Sequence, residues 1–146
     1  MRKVLVVEDS VSARAFLRAV LESGEFAPGG RRCEVVEASS GFDAMRLLPR
    51  GPYELIVTDI NMSDINGLEL IRFIRKSAHH ATTPLLIVST LRGRSDVERG
   101  LSLGANAYLP KPFTPEQLRA VCEQLLRDAP LGESPPPGRD PFQSER

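Results

Sequence analysis

The sequence lacks several features that would indicate a particular class of protein. It has no tryptophan and only two cysteines in 146 residues. The apolar run at its start, residues 4–7, is too short to cross a membrane or to form the core of an export signal. Neither sign of charge dominates, since 19 basic residues balance 19 acidic ones. We therefore expect a cytoplasmic protein with reduced cysteines (Cys33 and Cys122) and no non-specific affinity for nucleic acid or membranes.

Five short apolar runs, rich in β-branched residues, alternate with helical patterns along the chain. The runs are residues 4–7, 35–36 with their flanks, 55–57, 85–88 and 107–109. Apolar runs without alternation suit strands that are covered on both faces, as in a parallel sheet. This order favours a doubly wound α/β domain with a five-stranded parallel sheet, for which 2-1-3-4-5 is one of the two common strand orders.

Five stripes of apolar residues at helical spacing predict the helices between these runs. The predicted buried positions are Val11, Phe16, Leu17, Val20 and Leu21; Phe42, Met45 and Leu48; Leu68, Leu70, Ile71 and Ile74; a weaker stretch over residues 95–103; and Leu118, Val121, Cys122, Leu125 and Leu126. Asn66 and Thr114 are predicted N-caps, because Glu69 and Gln117 follow three residues later. Pro49 is predicted to end the second helix.

Two stretches depart from this alternation. Residues 24–32 (GEFAPGGRR) form a long connection before the second strand. Beyond residue 128 the composition shifts to proline and polar residues with no apolar period, which predicts a disordered tail over residues 129–146. We therefore expect one folded domain over residues 1–128. Since residues 129–146 are too few to form one, we expect no DNA-binding or enzymatic output domain.

Charged and polar residues follow four of the predicted strands. Glu8 and Asp9 follow the first, Asp59 the third, Ser89 the fourth and Lys111 the fifth. Ligands of open α/β sheets bind outside the carboxyl ends of the strands, where the strand order reverses, so these side chains should converge. Three clustered carboxylates need a cation, and hard oxygen ligands suit Mg²⁺. A carboxylate nucleophile beside a divalent metal, a lysine and a hydroxyl indicates phosphoryl transfer.

Each of these residues also has an ordinary structural explanation. Asp9 could cap the first helix, Ser89 could be a buried hydroxyl and Lys111 a solvated loop lysine. The functional signal is their joint placement at the ends of four strands. His79 and His80 have no further ligand residues at metal-binding spacing, so we interpret them as an exposed loop pair.

Together these segments resemble the receiver domain of bacterial two-component response regulators, at the scale of the CheY-like single-domain members. The matching segments are VLVVEDS (residues 4–10), DINMSDINGLEL (59–70), LLIVST (85–90) and GANAYLPKPF (104–113). The resemblance spans about residues 2–128 and implies a flavodoxin/CheY-like (βα)5 fold. The spacing of Asp59, Ser89 and Lys111 matches as well.

The resemblance implies roles for the acidic residues and their neighbours. Asp59 matches the phosphoacceptor, Glu8 and Asp9 match the acidic pair that helps to bind Mg²⁺, and the backbone carbonyl of Asn61 matches a further metal ligand. Ser63 stands where the family usually has a proline, which implies a looser loop after the acceptor.

The resemblance also implies roles for residues of the fourth and fifth strands. Ser89 matches the hydroxyl that contacts the phosphoryl group and reorients on activation, and Lys111 matches the lysine that pairs with a phosphoryl oxygen. Tyr108 matches an aromatic switch that turns inward on phosphorylation, and the bond between Lys111 and Pro112 is typically cis. Thr90 is bulkier than the usual residue beside the phosphoryl group.

These features lead to one main hypothesis and three alternatives. The main hypothesis is a monomeric or weakly dimeric single-domain regulator in a phosphorelay. It is phosphorylated at Asp59 by a histidine kinase, catalyses only its own phosphoryl transfer and dephosphorylation, and binds a target protein through the fourth and fifth helices and the fifth strand, for example in chemotaxis. A phosphate sink or relay and a phosphorylation-independent interaction module are alternatives. A phosphatase of the haloacid dehalogenase type is disfavoured, because that family has a second Asp where Asn61 stands.

Overall fold

A five-stranded parallel sheet forms the centre of the computed structural model, which describes residues 1–90 and 94–128. The strands are β1 (Arg2–Val7), β2 (Cys33–Ala38), β3 (Leu55–Thr58), β4 (Leu85–Thr90) and β5 (Ala107–Lys111). Their spatial order is β2-β1-β3-β4-β5, which confirms the predicted fold. The tail predicted over residues 129–146 lies outside the described residues.

Helices cover both faces of the sheet. They are α1 (Val11–Leu21), α2 (Gly41–Leu47), α3 (Gly67–Lys76), α4 (Arg94–Ser102) and α5 (Pro115–Asp128). Short 3₁₀ turns lie at Pro28–Gly30, within the long connection before β2, and at Leu48–Arg50. In the two described segments, none of the helices is both long and apolar enough to cross a membrane.

Successive strand residues point into two different cores. In β1, Val4 and Val6 face the core beneath α1 and α5, whereas Leu5 and Val7 face the core beneath α2, α3 and α4. All four side chains are inaccessible to solvent. Because both faces of the central strands are covered, both sets of positions must be apolar, and this explains the runs without alternation.

The predicted caps of α3 and α5 are present. The Asn66 side chain accepts a hydrogen bond from the Leu68 N–H (2.8 Å). At α5 the exchange is reciprocal, since Thr114 N–H donates to Gln117 Oε1 (2.9 Å) and Gln117 N–H donates to Thr114 Oγ1 (3.1 Å). These bonds satisfy backbone donors that the first turn of a helix leaves without partners.

The predicted buried faces of the first two helices are partly wrong. Val11 is 71% exposed, Phe16 39% and Phe42 60%. In α2 the buried positions are Gly41, Ala44 and Leu47, one step away from the predicted Phe42 and Met45. Leu48 is buried as predicted, in the 3₁₀ turn that also contains Pro49. The way each helix docks on the sheet selects its buried face, and apolar side chains outside that contact stay exposed.

The prediction of an exposed histidine pair is also wrong for one member. His79 is exposed, but His80 is 1% exposed and its ring centroid lies 5.6 Å from that of Tyr53. Packing against Tyr53, itself 4% exposed, accounts for the burial of the second imidazole.

Candidate functional site

A lysine joins two buried carboxylates at the carboxyl edge of the sheet. Glu8 follows β1 and Asp59 follows β3, and these strands are neighbours, with Val7 paired to Thr58. Glu8 is 1% exposed and Asp59 6%. Lys111, the last residue of β5, extends its side chain so that Nζ donates to Glu8 Oε1 (2.7 Å) and to Asp59 Oδ2 (2.8 Å). Three residues at the ends of three strands therefore form one ionic cluster, although Glu8 and Lys111 are 103 positions apart in the sequence.

Burial and ion pairing act in opposite directions on this cluster. Burial raises the pKa of Glu8, while the bonds from Lys111 and from the Ser10 N–H oppose that rise. For Lys111, burial alone would lower the pKa, but its hydrogen bonds to Asp59 and Glu8 outweigh burial, so the pKa is raised. Lys111 therefore carries its charge at neutral pH and places it between Glu8 and Asp59.

The residue two positions after Asp59 connects it to the end of β4. Asp59 Oδ1 accepts the backbone N–H of Asn61 (2.9 Å), and Asn61 Nδ2 donates to Ser89 Oγ (3.3 Å). Ser89 is 1% exposed. Asp59, Ser89 and Lys111 thus lie together as predicted from their positions in the sequence, and Asn61 links two of them, Asp59 through its backbone N–H and Ser89 through its side chain.

Asp9 lies at the rim of the site, away from the lysine. It is exposed, and its Oδ2 accepts the backbone N–H of Ser63 (3.2 Å). Ser10, not Asp9, caps α1, because Ser10 Oγ accepts the Ala13 N–H (3.3 Å). Within residues 1–90 and 94–128, no three His, Cys, Asp or Glu side chains surround a common metal position. Of the three carboxylates predicted to converge, Glu8 and Asp59 share Lys111, whereas Asp9 contacts the segment after Asp59 through the Ser63 N–H.

The donor set nevertheless fits a hard divalent cation. Glu8, Asp9 and Asp59 with Lys111 sum to a charge of −2 when all four are ionised. Carboxylate and carbonyl oxygens are the ligands that Mg²⁺ prefers, and an exposed rim residue such as Asp9 leaves room for the waters that this ion retains. A divalent cation would neutralise the remaining charge.

Tyr108 lies beside the end of β4. Its side chain is half-buried and its hydroxyl oxygen lies 3.5 Å from the Ser89 carbonyl oxygen. Partial burial raises the pKa of the phenol. The exposed Thr90 pairs with Lys111 in the β4–β5 register, and the bond between Lys111 and Pro112 is cis, as the resemblance implied.

The segment after Asp59, residues 60–66, is held against α2 by contacts that the sequence did not reveal. We call this segment the acceptor loop. Asp64 accepts the N–H groups of Gly41 (3.1 Å) and Phe42 (3.0 Å) at the start of α2. These bonds, led by that from Phe42, lower the pKa of Asp64 to about 2. A Cβ at Gly41 would lie 1.7 Å from Ile65 Cγ2, so a larger residue there would force the Ile65 side chain to move. The lone sequence signal was the Ser40-Gly41 pair, which is typical of a helix start.

The chain is similar to known receiver domains over most of its length. Residues 4–123 match the family model described as the response regulator receiver domain. A Chemotaxis protein CheY homolog of Campylobacter jejuni is 34% identical over 125 residues, which cover 85% of this chain and 92% of that protein.

Solved structures show the same fold. The chemotaxis response regulator CheY4 of Vibrio cholerae has a TM-score of 0.72 at 28% identity, over 86% of this chain and 98% of that one. The receiver domain of a sensor histidine kinase from Pseudomonas aeruginosa PAO1, with a magnesium ion coordinated in its active site cleft, has a TM-score of 0.75 at 25% identity, over 87% and 98%.

Proposed function

The chain belongs to the response regulator receiver domain family of two-component systems, and on that basis we propose that it is a phosphorylation switch with Asp59 as the acceptor. The observation that carries the proposal is the contact of Lys111 Nζ with Asp59 Oδ2 at 2.8 Å. This contact places a cation against a nearly buried carboxylate, and a carboxylate is the nucleophile that phosphoryl transfer to an acidic residue requires.

The proposed donor is the phosphohistidine of a histidine kinase. An oxygen of Asp59 attacks the phosphorus, the P–N bond breaks, and the imidazole nitrogen leaves with the electron pair of that bond. The product is an acyl phosphate on Asp59. Lys111 can then pair with a phosphoryl oxygen, and the Ser89 hydroxyl can donate to another. Lys111 already contacts the acceptor, whereas the Ser89 hydroxyl would turn from the Asn61 side chain toward the phosphoryl group.

The proposal includes a Mg²⁺ ion held by Asp9, Asp59 and the backbone carbonyl of Asn61, with Glu8 nearby. The ion would supply positive charge to the oxygens of the transferring phosphoryl group. The excess of two negative charges among Glu8, Asp9, Asp59 and Lys111 supports this assignment. The fold sets the positions of these ligands, because they follow β1 and β3, which are adjacent strands of the sheet.

We propose that Ser89 and Tyr108 convey phosphorylation to the surface. Ser89 accepts a bond from the Asn61 side chain. When the hydroxyl turns toward a phosphoryl group, it gives up this bond, and Tyr108, 3.5 Å from the Ser89 carbonyl, can move inward. The surface formed by α4, β5 and α5 would then bind a target protein, with the regulator a monomer or weak dimer. The chemotaxis names of relatives at 31–34% identity support a role in motility control, and the two cysteines without disulfides support a cytoplasmic location.

Labelling with a small acyl phosphate or with a phosphorylated kinase tests the proposal. Wild-type protein should take up one phosphoryl group in the presence of Mg²⁺ and none after chelation with EDTA. Asp59→Asn should abolish uptake. Asp96→Asn, which removes a half-buried carboxylate in the first turn of α4, is the matched control and should label normally. Undiminished labelling of Asp59→Asn would rule out this residue as the acceptor.

A further inference from the structure

One backbone N–H in the acceptor loop contacts a carboxylate of the site. Ser63 N–H donates to Asp9 Oδ2 at 3.2 Å, across 54 positions of sequence. We propose that this peptide group is a positioning group for divalent-cation binding: it holds the Asp9 carboxylate through Oδ2 and leaves the second oxygen, Oδ1, to ligate a cation. The inference rests on the proposed function, because it concerns the same Mg²⁺ ion.

The acceptor loop is fixed independently of Asp9. Gly67 N–H donates to the Ile60 carbonyl (2.9 Å), which closes the loop on itself. A Cβ at Gly67 would lie 2.5 Å from Ile60 Cα, so the start of α3 packs directly on the loop. On the other side, Asp64 accepts two N–H groups of α2. A loop held at both ends cannot follow the Asp9 side chain, so the hydrogen bond acts on the orientation of Asp9.

Asp9 has little else to hold it. Its side chain is exposed, and Lys111 donates to Glu8 and Asp59 instead. Among the residues that the structure describes, the Ser63 N–H is the one hydrogen-bond donor to its carboxylate. A carboxylate has two oxygens, so Asp9 can accept from Ser63 through Oδ2 and ligate a cation through Oδ1. Without that bond, the carboxylate would have to be ordered when the cation binds.

The resemblance implied a looser acceptor loop, because Ser63 stands where the family usually has a proline. In this structure the same replacement supplies a backbone N–H that contacts Asp9. A proline at position 63 would have no N–H, whereas Ser63 uses its N–H to hold a proposed metal ligand. Partners that hydrogen-bond to a ligating carboxylate are worth about 10-fold to 100-fold in metal affinity. Since this donor is a neutral peptide at an exposed rim, we expect the lower end, a loss of about tenfold when it is removed.

The test is a Mg²⁺ titration of the full-length chain followed by the NMR shifts of backbone amides in residues 8–10 and 59–62. Ser63→Pro removes the donor and should weaken Mg²⁺ binding about tenfold. Ser63→Ala changes only the side chain, keeps the N–H, and should bind as the wild type does. In an Asp9→Asn background, Ser63→Pro should have no further effect, because the bond would act only through the Asp9 carboxylate.

Equal or tighter Mg²⁺ binding by Ser63→Pro, with wild-type binding intact, would overturn the inference and leave the proposed function standing. A wild-type protein that binds no Mg²⁺ would instead overturn the metal site itself. An equal loss in the Asp9→Asn background would also refute the inference, since it would mean a general distortion of the loop. Should Ser63→Pro fail to fold, a semisynthetic chain with an ester in place of the Ser63 N–H gives the same comparison. It removes only the donor atom.

Discussion

Arg75 is expected to be a major source of stability, although it lies at the amino edge of the sheet, far from the proposed site. Its guanidinium donates five hydrogen bonds: two to the Gly104 carbonyl (3.0 and 2.7 Å), one each to the carbonyls of His80 (3.0 Å) and Thr83 (2.7 Å), and one to Asn106 Oδ1 (3.0 Å). Burial lowers the pKa of Arg75 to about 10, still well above neutral pH. One cation therefore joins α3 to the segments that precede β4 and β5.

Arg75→Met removes these donors and leaves three backbone carbonyls without the partner they have now. Each carbonyl left unsatisfied costs about 1 kcal/mol at the low end of the usual range, so we expect a loss of about 3 kcal/mol in the free energy of unfolding. Arg75→Lys should recover only part of it, because an ammonium cannot reproduce the planar fork of donors. Arg72→Met, on the exposed side of α3, is the matched control and should change stability by less than about 0.5 kcal/mol.

Urea denaturation measures this difference. With a slope of about 1.5 kcal/mol per molar urea, a loss of 3 kcal/mol moves the midpoint down by about 2 M. Phosphoryl uptake by the folded fraction at low urea should stay normal, since Arg75 contacts neither Asp59 nor Lys111. A midpoint for Arg75→Met that coincides with that of Arg72→Met would refute the reasoning.

Three further predictions concern other buried or anchored groups. Burial lowers the pKa of His80, so as the pH falls the unfolded chain takes up a proton at this residue before the folded protein does. The free energy of unfolding should therefore fall as the pH drops below about 6.5. His80→Phe should reduce this pH dependence, measured by urea denaturation, and His79→Phe should not. The pKa of Asp64 is about 2 when folded, so its stabilisation should be complete above about pH 4 and lost toward pH 2; Asp64→Asn should flatten that part of the acid-unfolding curve. Gly41→Ala would put a Cβ 1.7 Å from Ile65 Cγ2, and it should shift the NMR signals of the acceptor loop and weaken Mg²⁺ binding; unchanged signals would contradict the contact.

The strands and the residues at their ends could be predicted because their signals are local, whereas the runs alone left the order 2-1-3-4-5 as one of two common solutions. Coverage of the sheet on both faces forces unbroken apolar runs, and parallel strands end on the same edge. The caps at Asn66 and Thr114 were predictable for the same reason, since a cap and its partner lie within one helical turn. The helix faces were less so: Phe16 and Phe42 fit an apolar stripe, yet the docking of α1 and α2 on the sheet leaves both exposed.

The sequence alone determined which chemical groups meet at the carboxyl edge: an acidic pair after β1, Asp59 after β3, a hydroxyl after β4 and a lysine after β5. Only the tertiary structure decided which of these groups contact one another: Lys111 bonds to Glu8 and Asp59, and Asp9 accepts the Ser63 N–H. The physical reason is that a strand directs its last residue to an edge of the sheet. The partner that the side chain finds there depends on loops distant in sequence, and their approach leaves no periodic or local pattern.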